Sequence, residues 1–346
     1  MKVKSYAAQN SKSPLAPWTF DSREVGPKDV LIEIAFSGIC HSDIHQARDE
    51  WGGSIFPMVP GHEIVGHVKQ VGAQVKNFKV GDVAGVGCMV DSCRICASCK
   101  DHLEQYCEVG FVGTYNALER DKKTPTYGGY ASHIITNEDF VLHIPKNLDL
   151  AAAAPLLCAG ITTYSPLKKV GVTKGHRVGV LGLGGLGHMA VKLAASFGAE
   201  VTVLSGSKAK EADAKKLGAT HFALTSDEAT VAKLQNHFDF ILDTVAAKHD
   251  LNQALQMLKR EGTLIMVGAA DKPLDLSVFS LIMKRRKIMG SLIGGIKETQ
   301  EMLDYCGKHN ITCDIEMIKA PEINDAYERM ISGKVRYRFV IDAKTF

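Results

Sequence analysis

The stretch RVGVLGLGGLGHMAVKLAASFG constrains the fold of this chain more than any other. A β-branched run from Arg177 to Leu181 feeds straight into Gly182-Leu183-Gly184-Gly185-Leu186-Gly187, and an amphipathic helical pattern opens from those glycines. The spacing G-x-G-x-x-G is weak alone. Between a strand and a helix, however, it is the turn that lets backbone approach a pyrophosphate while the helix N-terminus supplies amide donors and partial positive charge. Tight strand-to-helix packing uses the same glycines, but the strand before and the helix after favour the dinucleotide reading. Downstream come EVTVLS, KAKEADAKKLG, HFDFILDTV, HDLNQALQMLKREG and TLIMVG, to about residue 290. Strands alternating with helices predict βαβ units and a parallel sheet.

The first 150 residues read differently. VLIEIAF, IVGHVKQVG, FKVGDVAGVG, ASHIIT and FVLHIP are short β-branched runs cut by Gly and Pro, the pattern of an all-β, barrel-like unit with long loops. LDLAAAAPLLCAGITTYSPLKKVG reads as a helix leading into the βαβ block. The tail offers a helix (KETQEMLDYCGKHN), a strand (IEMIKA), a helix opened by Pro321 and a final strand (RYRFVID), and is expected to return to the first domain. The βαβ block is then an insertion, and 346 residues suffice for two domains. Lys284-Arg285-Arg286-Lys287 reads as the last turn of a helix, where cations favour the dipole.

With 41 basic and 38 acidic residues, nothing in the charge balance calls for nucleic acid or a membrane surface. The first residues lack the apolar core of a signal peptide and no apolar run reaches the ~18 residues of a membrane span, so the expectation is cytoplasmic. In that reducing setting nine cysteines point to metal ligation rather than disulfides.

Four of them form Cys93-x2-Cys96-x2-Cys99-x7-Cys107, enough to close a tetrahedral structural zinc shell from one lobe. The spacing is near that of an iron–sulfur site, and cysteine-rich fingers also bind nucleic acid. Asp91, Asp101, Glu104 and Glu108 in the same lobe oppose phosphate binding. Separately, Cys40, His62 and Cys158 supply two thiolates and an imidazole, the donor set of a catalytic zinc with one open position. Tertiary folding would have to gather them, and each alone is also an ordinary packing residue.

An NAD site places a carboxylate about 20 residues after the glycines. Here Ser205 holds that place, with Ser207, Lys208 and Lys210 after it, which favours a 2′-phosphate and therefore NADP. Lys208 and Lys210 are equally at home as surface-helix lysines. In CHSDIH, Ser42 and His45 suit a proton path and Asp43 suits orientation of a metal ligand; each is also at home as a locally satisfied loop residue.

Taken together, GICHSDIH, GHEIVGHV, the four-cysteine lobe, LLCAGITTYSPL, VLGLGGLGHMAVKLA and RYRFVID closely resemble the zinc-dependent medium-chain alcohol dehydrogenases, nearest to the cinnamyl-alcohol-dehydrogenase-like and NADP-dependent aldehyde reductase branch. The resemblance runs almost end to end. It implies an α/β fold: a GroES-like β-barrel catalytic domain, 1–152 and 291–346, with an inserted Rossmann cofactor domain, 153–290, and an active site in the cleft. It implies a catalytic zinc on Cys40, His62 and Cys158 with Glu63 as a further ligand, and a structural zinc on Cys93, Cys96, Cys99 and Cys107. It implies a proton relay through Ser42, the cofactor ribose and His45, with Asp43 behind the metal. NADP(H) would rest on Gly182, Gly184, Gly185, Leu186 and Gly187, with Ser205, Ser207 and Lys210 at the 2′-phosphate and Thr162, Val267, Gly268 and Ala269 at the nicotinamide. Ser291 is a further cofactor candidate, and Arg336 or Arg338 would reach the pyrophosphate.

Because two thiolates already neutralise a dication, and neighbours in an extended strand point to opposite faces, Glu63 is expected behind the metal or as a displaceable ligand. The expected partners are a small-molecule alcohol or aldehyde and a second copy of the chain. Trp51, Cys88, Met89, Leu292 and Ile293 are apolar candidates for a hydrophobic substrate and equally for core packing. An NAD-dependent polyol or formaldehyde dehydrogenase is the rival enzyme, and a non-catalytic zinc-finger-like binding module the rival of a different class.

Overall fold

A computed structural model describes residues 1–270 and 272–346. The chain divides into two units: Met1–Ile161 with Gly294–Phe346, and Thr162–Ile293.

The first unit is built around the ten-residue strand Asp29–Gly38. Val30, Ile32 and Ile34 alternate into the core and are almost completely buried, each contributing about 2 kcal/mol of apolar burial. The strand pairs antiparallel with Ile64–Val71 along its length, with His133–Asn137 at its start and with Arg338–Asp342 at its end. Register shifts at Leu31/Ile32 and Ile34/Phe36 bend it, as bulges do, so one strand serves three partners. Around it the sheet runs Ile315–Lys319, Arg338–Asp342, Asp29–Gly38, Ile64–Val71, Val83–Val86, Leu142–His143. The C-terminal tail thus enters the same sheet as the N-terminal segment.

The second unit is a six-stranded parallel sheet in the order His221–Leu224, Glu200–Ser205, Arg177–Leu181, Phe238–Asp243, Leu258–Met266, Lys287–Gly290. Strand order reverses at Arg177–Leu181, which has Glu200–Ser205 on one side and Phe238–Asp243 on the other. A ligand crevice lies outside the carboxyl ends of strands at such a switch point.

Three local expectations need correction. LDLAAAAPLLCAGITTYSPLKKVG is not one helix: Leu150–Ala153, a 3-10 turn Ala154–Leu157 and the helix Ala159–Lys169 are separated by Cys158, whose φ and ψ of −126° and −69° break the ladder. The turn packs on the first unit's strands, which is why that unit runs to Ile161 and not to 152. The helix expected in HDLNQALQMLKREG stops at Met257, since Leu258 already pairs in the sheet. Lys284-Arg285-Arg286-Lys287 is not a last helical turn either. The helix is only Phe279–Ile282, Arg285 is left-handed at φ +52°, and Lys287 opens a strand. Arg286 instead donates to the carbonyls of Gln256, Leu258 and Ser280 at 3.0–3.1 Å, tying a turn down rather than capping a helix.

Candidate active site

In the first unit, a thiol, an imidazole, a carboxylate and a second thiol converge from three places in the sequence. One donor atom each from Cys40, His62, Glu63 and Cys158 lie within 4.8 Å of one another, and all four residues are buried. Cys40 caps the helix His41–Ala47, its amide held by Asp43 Oδ2 at 2.8 Å. Gly61 has φ +108°, and a Cβ there would meet Gly129 N and the Tyr130 ring at 2.8 Å, so only glycine makes this turn. Regular strand begins only at Ile64. His62 and Glu63 therefore lie on a kinked segment and reach the same cluster, which corrects the opposite-faces expectation. Cys158 Sγ sits 3.9 Å from Cys40 Sγ because the helix break described above turns it inward.

Asp43, fully buried, holds this arrangement. It accepts from the Gly61 amide at 3.2 Å and the Tyr130 hydroxyl at 3.1 Å, and its Oδ1 lies 3.2 Å from His62 Nδ1. Tyr115 stacks on the His62 ring at 5.8 Å. Cys158 donates to Cys40, which lowers the Cys40 thiol's pKa and raises that of Cys158. Burial lowers the His62 pKa, but Asp43 and then Cys88 outweigh it and hold it well above its ordinary value. The Cys158 and His62 protons thus occupy atoms that a cation would need as lone-pair donors, so metal binding here releases protons.

Glu63 is pushed up to about 8 by burial, with Arg338 opposing. Arg338 Nη2 lies 3.2 Å from Glu63 Oε1 and Nη1 donates to the Ile39 carbonyl, so this 2 % exposed guanidinium is spent inside the first unit. Arg336 is exposed, its amide held by Glu316. Ser42 Oγ lies 3.6 Å from Cys40 Sγ, and His45 Nδ1 lies 2.5 Å from Glu50 Oε2 while its ring stacks on Trp51 at 4.9 Å.

The four-cysteine lobe is a second cluster, with donor atoms of Cys93, Cys96, Cys99 and Cys107 within 4.8 Å. Burial raises Cys107, but the amides of Cys93 and Val109 outweigh it and pull it down to about 6. Cys99 is pushed up to about 11 by burial. Both clusters fit zinc by donor chemistry: thiolates and imidazole at one, four sulfurs at the other.

In the second unit, Gly182 at φ +90° turns the chain into the helix Gly185–Ser196. Gly187 packs so tightly that a Cβ would meet the Gly182 carbonyl at 2.2 Å, while a Cβ at Gly184 would meet nothing within 4 Å. That open backbone at a helix N-terminus fits a pyrophosphate. Leu186 is the helix's second residue. Ser205 ends its strand with no carboxylate in its place and accepts the Ser207 amide at 3.2 Å. Lys210 is not a solvated helix lysine: its ammonium donates to the Leu183 carbonyl inside the glycine turn at 2.9 Å. Lys208 pairs with Glu211 instead. Val267, Gly268 and Ala269 follow the strand Leu258–Met266, the first two donating to the Asp243 carbonyl at 3.0 Å. Thr162 is buried in the helix Ala159–Lys169, and the Ser291 amide donates to Met266 O at 3.1 Å.

Residues 26–146 match the alcohol dehydrogenase GroES-like domain and residues 185–308 the zinc-binding dehydrogenase family. The chain is 54% identical to the NADP-dependent alcohol dehydrogenase C 1 of Mycolicibacterium smegmatis over 98% of this chain and 97% of that one. The chain belongs to the zinc-binding alcohol dehydrogenases. The aldehyde reductase YahK of Escherichia coli is 53% identical, covering 100% of this chain and 99% of YahK. A solved Helicobacter pylori cinnamyl alcohol dehydrogenase complexed with NADP(H) superposes with a TM-score of 0.94 at 47% identity, covering 99% of both chains. Membership makes the chain an oxidoreductase and removes the binding-module reading.

Sequence reasoning missed several residues of this dehydrogenase's pocket. Glu50 follows the helix that ends at Ala47, where the chain turns back through Asp49 at φ +55°. Its signal, a carboxylate five residues after His45, lies outside helical spacing. Tyr130 comes from a distant segment and carried none, and Arg338, named only as a pyrophosphate candidate, carried no signal of its place beside Glu63. Of the apolar candidates, Met89 is 2 % exposed and belongs to the core, while Trp51 is about half exposed and Leu292 nearly so.

Proposed function

We propose that this dehydrogenase interconverts hydrophobic aldehydes, aromatic or medium-chain aliphatic, and their alcohols with NADP(H), leaning towards aldehyde reduction. The observation that carries the reading is the pairing of two features: a buried four-donor pocket in one unit, and a glycine turn followed by Ser205 and Lys210, not a carboxylate, in the other. Cys40, His62 and Cys158 would hold a catalytic zinc and Cys93, Cys96, Cys99 and Cys107 a structural one. When bound, the catalytic zinc supplies Lewis-acid polarisation of the substrate oxygen, and the dinucleotide supplies the hydride.

The chain's own residues do the rest. Asp43 orients His62 so that its other ring nitrogen faces the cluster. Arg338 holds Glu63 Oε1 at 3.2 Å, which supports Glu63 acting from behind the metal or as a displaceable ligand. The Ser42 hydroxyl, able to donate and accept, delivers a proton to the substrate oxygen, and His45, fixed by Glu50, serves as its reservoir at the partly exposed end. Thr162, Val267, Gly268, Ala269 and Ser291 would face the nicotinamide end of the cofactor. Trp51, stacked on His45 yet half exposed, favours an apolar substrate.

A homodimer in the cytoplasm completes the proposal. The strand Lys287–Gly290 is the sheet's edge, and Leu276, Val278, Phe279, Ile282 and Met283 beside it are exposed, a patch suited to a second copy. A panel of aromatic, aliphatic and one-carbon aldehydes and polyols, assayed with NADPH and NADH, tests the reading. Preference for NADPH and apolar aldehydes supports it; preference for NAD with polyols or formaldehyde favours the rival.

A further inference from the structure

Asp243, at the end of the strand Phe238–Asp243, is fully buried and lies outside both metal clusters and the glycine turn. Its Oδ1 accepts the Val245 amide at 3.0 Å, and its Oδ2 lies 2.6 Å from His249 Nε2. The other ring nitrogen, Nδ1, faces the Ala247 carbonyl at 2.8 Å. A carbonyl oxygen only accepts. Both contacts of the ring are therefore satisfied only when the pair carries one proton more than a neutral imidazole plus a carboxylate. Burial pushes the Asp243 carboxyl up, against the Val245 amide and His249, the direction expected of a group that shares a proton with its neighbour.

The segment so closed, residues 244–247, is wedged between two glycines. The Thr244 amide and hydroxyl donate to the Leu181 carbonyl at 3.0 and 2.9 Å. A Cβ at Gly182 would meet Thr244 Oγ1 at 2.9 Å and Val245 Cγ2 at 3.0 Å, and one at Gly268 would meet the Val245 carbonyl at 2.4 Å. Thr244 and Val245 thus form the wall between the glycine turn and the Val267-Gly268-Ala269 turn.

We infer that His249 is a positioning residue for the dinucleotide: by bridging Asp243 to Ala247 it holds residues 244–247 against Gly182 and Gly268 and so sets the shape of the crevice. The inference rests on the reading of that crevice as the NADP(H) site. In this role His249 acts through that wall, by its contacts to Asp243 and Ala247. When the pair gives up its proton, one ring nitrogen presents a lone pair to an oxygen, that bond is lost and the wall loosens. The flanking charges are engaged elsewhere: Lys248 pairs with Asp275 at 3.2 Å, and Asp250 caps the helix Leu251–Met257 through the amides of Asn252 and Gln253.

The test is NADPH affinity of the full-length protein, measured by cofactor fluorescence from about pH 6 to about pH 9. Wild type, His249→Gln, His249→Arg and, as a control on the crevice, Ser205→Asp are compared. Wild-type affinity is expected to fall as pH rises. His249→Gln, left with a single donor nitrogen and no charge, should bind about ten-fold more weakly at low pH, the loss of one charge-assisted bond, and show less of that fall. His249→Arg keeps several donors and its charge at every pH, so it should bind more tightly than His249→Gln and hold that affinity at high pH. The 2′-phosphate titrates in all of them, so differences between variants carry the result. A wild-type profile in His249→Gln, or a His249→Arg variant no tighter than His249→Gln at high pH, overturns the inference. Absence of NADPH binding by wild type, or unchanged affinity in Ser205→Asp, overturns instead the cofactor reading beneath it.

Discussion

The two sulfur clusters of the first unit gather their donors in opposite ways. The lobe takes four thiols from fifteen consecutive residues, in thin, partly exposed structure with no imidazole or carboxylate ligand. The pocket takes Cys40, His62, Glu63 and Cys158 from a helix cap, a glycine kink and a helix break, and buries all four. A compact set can close a shell and staple a loop. A dispersed set, held by Asp43 and offset by Arg338, leaves its charge adjustable, which is what a reacting site needs.

The largest expected contrast comes from removing one sulfur at each site. Cys158→Ser should cut turnover roughly 10³-fold or more, the several kcal/mol supplied by Lewis-acid stabilisation, while melting stays cooperative. Cys99→Ser should do the reverse, lowering the melting temperature by about 5 °C or more with much of the turnover per folded chain retained. Similar effects from the two would erase the distinction. Next, Ser42→Ala should lower turnover about 10²-fold without loss of zinc. Near-wild-type turnover would remove Ser42 from the proton path.

The lobe was legible in the sequence because its ligands are neighbours. The glycine turn was legible because strand, motif and helix are contiguous. The pocket was legible mainly through family resemblance, since nothing local to Cys40 announces Cys158. Glu63 was misjudged in geometry because an extended strand was assumed where Gly61 bends the chain. Arg336 or Arg338 was expected at a pyrophosphate, and what the sequence did not announce is the neighbour Arg338 has in space, Glu63, 275 residues away in sequence. Lys284–Lys287 failed for the same reason, since two of the three carbonyls that Arg286 ties down, those of Gln256 and Leu258, belong to another segment.

Smaller effects sharpen the comparison. In metal-free protein Cys107, held down at about 6, is a thiolate at pH 7, whereas Cys99, up at about 11, is not. Mass spectrometry after brief alkylation should find Cys107 modified before Cys99, with the lead shrinking as pH falls through about 6, where Cys107 regains its proton. Cys158, buried and raised, should react late. Equal labelling of all three would contradict this charge separation. Ser205→Asp should raise the KM for NADPH about ten-fold and that for NADH much less, by repulsion of the 2′-phosphate.

Zinc content per chain tests the central claim most directly. Elemental analysis of wild type, Cys158→Ser and Cys99→Ser, each with its rate of NADPH-dependent aldehyde reduction, should give two zinc ions for wild type. Cys158→Ser should keep one and be nearly inactive, and Cys99→Ser should lose the other while retaining much of its activity. A Cys158→Ser protein with full zinc and full turnover, or a wild type with a single zinc that Cys158→Ser leaves in place, would contradict the account.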